Sequence, residues 1–201
     1  MPIGFDKTII ARMALSHVGS KSNIESIDEE NPAAKECKLW YEAARIKTLE
    51  AFNWSFARRS RALAEHAIAA PTNRWSYRYQ FPADMVMPRF IENPAGPTED
   101  AIPFEMEVAS DDSKSIVTDA EDAVMLYTFD LETVSEFSVH FVEAMALALG
   151  IRIAYKLSGK TSLATRLTKE FDAKINIAPA SDVSGSVPRP ERDASWHRAR
   201  T

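Results

Sequence analysis

The densest set of groups able to do acid–base chemistry is a run of carboxylates: Glu105 and Glu107, then Asp111, Asp112, Asp119, Glu121 and Asp122. A glycoside hydrolase needs only two carboxyls at the right separation, one protonated as general acid and one ionised. Keeping a carboxyl protonated near neutrality takes burial or a neighbouring negative charge. Phe104, Met106 and Val108 alternate with Glu105 and Glu107 as on a half-buried strand, which puts both glutamates on the solvent side. The other acids fall in turns. Such positions keep carboxylates hydrated, so no catalytic residue is expected. A carbohydrate-active hydrolase using these surface acids is the alternative function class.

Other chemistries find fewer handles. The four histidines, His17, His66, His140 and His197, lie in separate segments without ligand spacing, and no His-Glu-x-x-His helix is present. His140, beside Phe141, reads as a hydrogen-bonded core or interface residue. With one cysteine, neither an intramolecular disulfide nor a multi-cysteine zinc site can form, and Cys37 reads as a small buried hydrophobe. Six glycines supply no Gly-x-Gly-x-x-Gly or Walker A loop, and no Gly-x-Ser-x-Gly elbow occurs. Neither cofactor nor metal is expected. Arg58, Arg59 and Arg61, followed by Arg74 and Arg78 among Trp75, Tyr77 and Tyr79, could form a single-strand nucleic-acid platform. The rings share one strand face and Arg78 the other, however, and a formal net charge of −5 argues against an electrostatic grip on DNA. No run of roughly 20 apolar residues predicts a membrane span, and no secretion signal is seen, so synthesis in a reducing cytoplasm is expected.

The elements that must position these residues change texture along the chain. Asp6 is a good N-cap with Phe5 and Ile10 placed as a hydrophobic staple, so a first helix is predicted from Lys7 to Gly19. Asn31 and Pro32 open a second helix to about Phe52, with Ala34, Cys37, Tyr41, Ala44 and Thr48 buried and Arg45 on its polar surface. Strand signals and prolines dominate from Arg58 to about Asp130, predicting a small antiparallel sheet or barrel with long loops. A strongly apolar helix is predicted from Leu131, through Val134, Phe137, Phe141 and Met145, to Ser158-Gly159, and a last helix through Leu163, Leu167, Phe171 and Ile175. The expected class is α+β: a bundle of about four helices (residues 1–58 and 131–177) with an inserted β region (59–130) and an extended C-terminal arm (178–201). In that arm Trp196, Arg198 and Arg200 are the candidate partner-binding residues, because Trp and Arg are enriched at interface hot spots.

The order of Ala14-Leu15, Val18-Gly19, Ile24, Ser26, Ala34, Cys37, Tyr41, Arg45, Leu49, Trp54, Phe56-Ala57 and Leu63, followed by the run Trp75 to Asp84, resembles the podovirus tail tubular protein A family of phage tail adaptors. His17, Ser16 and Phe81 depart from that pattern. The resemblance implies a structural virion protein in the tail, forming a ring, in the family usually of twelve copies, between the portal and the tail nozzle. Its expected partners are other copies of itself, the portal, the nozzle, and genome DNA that crosses the lumen without specific binding. The family has no catalytic motif to transfer, so the resemblance concerns architecture alone. Trp54, Phe56, Trp75 and Tyr79 are the expected fold anchors.

Overall fold

A computed structural model describes residues 4–71, 74–93 and 102–182; Trp196, Arg198, Arg200 and His197 lie outside the described residues. Among the described residues there are four α-helices, α1 (Lys7–Val18), α2 (Pro32–Ala51), α3 (Val139–Ser158) and α4 (Thr161–Asp182), with six strands inserted between α2 and α3. The strands are β1 (Arg58–Ala62), β2 (Tyr77–Gln80), β3 (Met85–Ile91), β4 (Phe104–Val108), β5 (Lys114–Thr118) and β6 (Val124–Phe129). This is the α+β arrangement expected from the sequence, and local chemistry accounts for its boundaries. The Asp6 carboxylate accepts the Ile9 N–H at 2.7 Å, and Gly19 ends α1 at φ +71°, a conformation that glycine adopts without a Cβ penalty. The Asn31 side chain accepts the Ala33 N–H at 2.8 Å with Pro32 in the first turn of α2.

The helical core is built around α3, which packs against α1, α2 and α4. Phe141, Val142, Met145, Ala146, Leu149 and Ile153 are fully buried, which is why this helix had to be apolar nearly all round. α1 and α4 both pack at Gly150, where an added Cβ would make ordinary contacts, 3.4 Å from Leu167 Cδ1 and 3.6 Å from the Ala14 carbonyl. At the sheet end, Phe52, Trp54, Phe56, Phe137 and Phe141 form an aromatic cluster, with the Trp54 and Phe141 rings edge-on at 5.2 Å. The buried Trp54 indole N–H is satisfied by the Thr48 carbonyl at 2.7 Å. Trp54 and Tyr79 are the buried anchors expected; Phe56 and Trp75 are only partly buried.

Three boundaries and environments differ from the sequence reading. The third helix starts at Val139, not Leu131, because the Ser138 hydroxyl caps it by accepting the Phe141 N–H; Val134 lies in a 3₁₀ turn and Phe137 just after it. The last helix continues to Asp182, five residues into the segment read as an arm, and Pro179 does not stop it. Arg45, expected on the polar surface, is buried, because Asp130 and the Leu131 carbonyl stand where its guanidinium ends.

The strands form two three-stranded antiparallel sheets, β1-β6-β3 and β2-β5-β4. Single bridges join them at both edges, Glu65 with Tyr79 and Ile91 with Ile102, so the six strands follow one another around a small barrel. Its interior holds Leu63, Tyr79, Met85, Ile91, Ile116, Met125 and Tyr127, a core separate from that of the helices. The barrel is incomplete. Pro88 and two register irregularities in β3 twist that strand, and beyond the Ile91–Ile102 bridge no ladder joins β3 to β4. Met106 therefore shares an inner row with Ile116 and Tyr79, as the alternation predicted, yet is 58% exposed, and Val108 is 66% exposed.

Candidate interaction surfaces

Two arginines pin the β insertion to the bundle, Arg45 at its C-terminal end and Arg89 from the middle of it. The Arg45 guanidinium donates to Glu42 Oε2 at 2.7 Å, to the Leu131 carbonyl at 2.9 Å and to Asp130. Burial works against its charge, but the hydrogen bonds to Asp130 and Glu42 outweigh it and hold the group firmly protonated. Arg89 of β3 reaches the C-terminal end of α2, where carbonyls lack intrahelical partners. Its Nη2 donates to the carbonyls of Leu49 at 2.9 Å, Glu50 at 3.2 Å and Phe52 at 2.6 Å, and its Nε to Thr128 Oγ1 at 2.8 Å. Burial lowers the Arg89 pKa, with Glu50 acting in the opposite direction. Arg45 was misread as surface and Arg89 was not singled out. A lone charge inside the otherwise apolar run Met85–Ile91 is the available signal.

The carboxylates stand on the outer face of the second sheet among arginines. Arg74 Nη2 lies 2.6 Å from Glu105, and Arg78 Nη2 lies 3.1 Å from Glu107. Each is engaged by an arginine rather than enclosed in an apolar pocket, which is not the setting of a general acid. Asp119 accepts the Ser76 N–H and hydroxyl, each at 2.9 Å. Asp112 and Asp122 occupy tight turns at φ +62° and +52°. The basic–aromatic stretch is likewise committed: Tyr79 is interior, Tyr77 stacks on it at 6.3 Å, and Arg78 is buried rather than presented to solvent. Arg59 pairs with Asp84 and lies over the Phe129 ring at 4.0 Å.

One constellation that sequence spacing does not announce does form. His66 Nε2 is 2.9 Å from Ser113 Oγ, and that hydroxyl is 2.5 Å from Asp111 Oδ1. The residue types are those of a hydrolytic triad, but Ser113, not the histidine, stands in the middle, and the proton polarity is wrong as well. The Ile68 N–H donates to His66 Nδ1 at 3.0 Å, so in the neutral ring Nε2 carries the hydrogen and donates to Ser113, which in turn donates to Asp111. A histidine donating to the serine cannot take its proton. Hydrogen bonds from Ser113 hold the Asp111 carboxyl below its usual range. The trio clasps the β4–β5 turn to the segment after β1. Elsewhere, His140, read as a core or interface residue, is exposed and so not part of the core, one position before buried Phe141. Cys37 is buried, and burial pushes its thiol up to about 11. Among the described residues no cluster of three His, Cys, Asp or Glu side chains could hold a metal, and no helix is long and apolar enough to cross a membrane.

No protein-family model matches the chain, and no curated protein is similar to it.

Proposed function

We propose that the chain is a structural subunit of a short-tailed phage tail, an adaptor that assembles into a ring between portal and nozzle around the path of the DNA. One observation carries the reading. Ten of the residues whose order resembles the tail tubular family, Ala14, Leu15, Val18, Ile24, Ala34, Cys37, Tyr41, Leu49, Trp54 and Ala57, are buried together in the helical core, while Leu63 and Tyr79 lie in that of the barrel. A resemblance carried by positions that share one packing problem has a physical basis that scattered matches lack.

Three further features agree with a wall segment. Glu105 and Glu107 are neutralised by arginines rather than desolvated together, which argues against the hydrolase alternative. Repetition of an acidic subunit around a channel would repel phosphates and let a duplex slide. The bundle leaves Leu39, Val139 and Tyr155 exposed on its helices at 48–68%, apolar material for the heterologous contacts that close a ring.

The test is assembly. Full-length chain mixed with purified portal at micromolar concentration is expected to co-sediment and to show, by electron microscopy, an added ring at one end of the portal. Absence of a complex, combined with release of reducing sugar from a capsule polysaccharide that disappears in Glu105→Gln or Glu107→Gln, would replace this reading with the hydrolase.

A further inference from the structure

His66, besides clasping the β4–β5 turn, anchors the segment that follows it. Residues 64–66 are tied to β2 through backbone groups: the Gln80 N–H donates to the Ala64 carbonyl at 2.8 Å, the His66 N–H to the Arg78 carbonyl at 2.9 Å, and Gln80 Nε2 to the Glu65 carbonyl at 3.1 Å. Residues 67–70 are held differently. Among the described residues, the one hydrogen bond they make is that from the Ile68 N–H to His66 Nδ1 at 3.0 Å. At Pro71 the chain regains backbone partners, its carbonyl accepting the Arg74 and Trp75 N–H groups at 3.0 and 3.1 Å. Residues 67–70 thus form a short strap fixed by a single ring nitrogen, beside a cleft of about 230 Å³ that separates it from Tyr77 and Arg78 of β2.

That nitrogen accepts only while the ring is neutral. In an imidazolium both nitrogens donate, so no rotation of the ring gives Ile68 an acceptor. The other side of the ring tolerates the added proton. Nε2 already donates to the Ser113 hydroxyl at 2.9 Å, and Asp111 Oδ2 of the β4–β5 turn stands 4.0 Å away, a carboxylate that favours a charged ring where it is. Glu65 acts in the same direction from the cleft lining, Arg78 of β2 opposes it while bonded to Glu107, and Tyr77 is the remaining titratable group in that lining. The bond that fails on protonation is therefore the one to Ile68. Release also relieves a deficit: Arg78 Nε lies buried without an acceptor among the described residues, and water entering the cleft can reach it.

We infer that protonation of His66 and release of residues 67–70 are one event, which makes the strap an acid-opened cover of the cleft against β2. This inference does not depend on the tail reading and is tested on the full-length protein alone. Amide hydrogen exchange, corrected for its intrinsic pH dependence, is followed by NMR together with the His66 ring proton shift, assigned from its loss in His66→Asn. Protection of the Ile68 amide is expected to fall by about tenfold as the ring titrates, with the same midpoint. The Ala109 and Asp112 amides, which donate within the β4–β5 turn, should keep theirs. His66→Asn puts a side-chain carbonyl that takes no proton two residues before Ile68, an Asx-turn acceptor, so Ile68 protection in that variant should stay constant over the same pH range. An Ile68 amide that is unprotected while the ring is neutral overturns the inference, as does protection that persists through the ring's titration. A ring that takes its proton only as the far-ultraviolet circular dichroism collapses overturns it too, because the strap would then have no opening of its own. A pH response that survives in His66→Asn would assign the release to another group.

Discussion

Replacing Arg89 by Met tests whether the bundle and the barrel are one cooperative unit because of the arginine joint. The substitution keeps most of the apolar stem and removes four hydrogen bonds, to the carbonyls of Leu49, Glu50 and Phe52 and to Thr128. Hydrogen bonds to a charged group are worth about 1.5–3 kcal/mol each in net terms. They share one guanidinium, and Glu50 lies at an exposed helix end where water can replace the lost donor, so the four do not add. The expected loss is about 2–4 kcal/mol. Urea unfolding followed by circular dichroism at 222 nm reads the helices, while amide exchange reads the strands. The variant should lower the midpoint and bring exchange in β3 and β6 forward of exchange in α3, because each part retains its own core. Crossing the variant with Thr128→Val should give a coupling energy of about 1 kcal/mol. A loss under about 0.5 kcal/mol with coincident helix and strand transitions would refute the reasoning, showing that the Arg89 bonds are exchanged for water without consequence.

Further outcomes are expected elsewhere. Phe141→Ala empties a site touched by Trp54, Phe56 and Phe137 and should cost about 3–5 kcal/mol by the same denaturation assay. With its thiol raised to about 11, Cys37 should be only about one part in a thousand thiolate at pH 8. It should react with Ellman's reagent at least ~100-fold more slowly in the folded protein than in urea. Gly159→Ala forces a Cβ into φ +67° at the end of α3 and should destabilise by about 1 kcal/mol, visible as a lower melting temperature. Deleting residues 183–201 should leave the helical circular dichroism spectrum in place while weakening co-sedimentation with portal.

Much of the helical part was legible because its determinants are local. Asp6, Gly19, Asn31 and Pro32 act within one turn of the boundary they set, and the α2 stripe repeats at helical spacing. Where the reading failed, the cause lies far away in sequence. Arg45 is interior because Asp130, 85 residues later, is placed beside it, and no periodicity in α2 encodes that partner. Strand phase was read correctly at Met106, but its exposure was not, since exposure there depends on β3 failing to continue along β4. The His66–Ser113–Asp111 clasp joins residues 47 and 45 positions apart through a turn and a loop. Its mismatch with a triad rests on Ser113 standing in the middle and on a single N–H from Ile68, details that residue spacing does not report.

The pairing of Arg58 with Thr128 puts the first and last strands of the insertion side by side where they meet the helices. From the bundle's side, about seventy residues therefore hang from this paired stalk, braced by Arg89 of β3 against the end of α2. A different head could be grafted at that stalk, or the existing one trimmed to a hairpin, without repacking Phe141 or Leu149 beneath it. Descendants of one such scaffold can thus diverge in what they grip while keeping the same foundation.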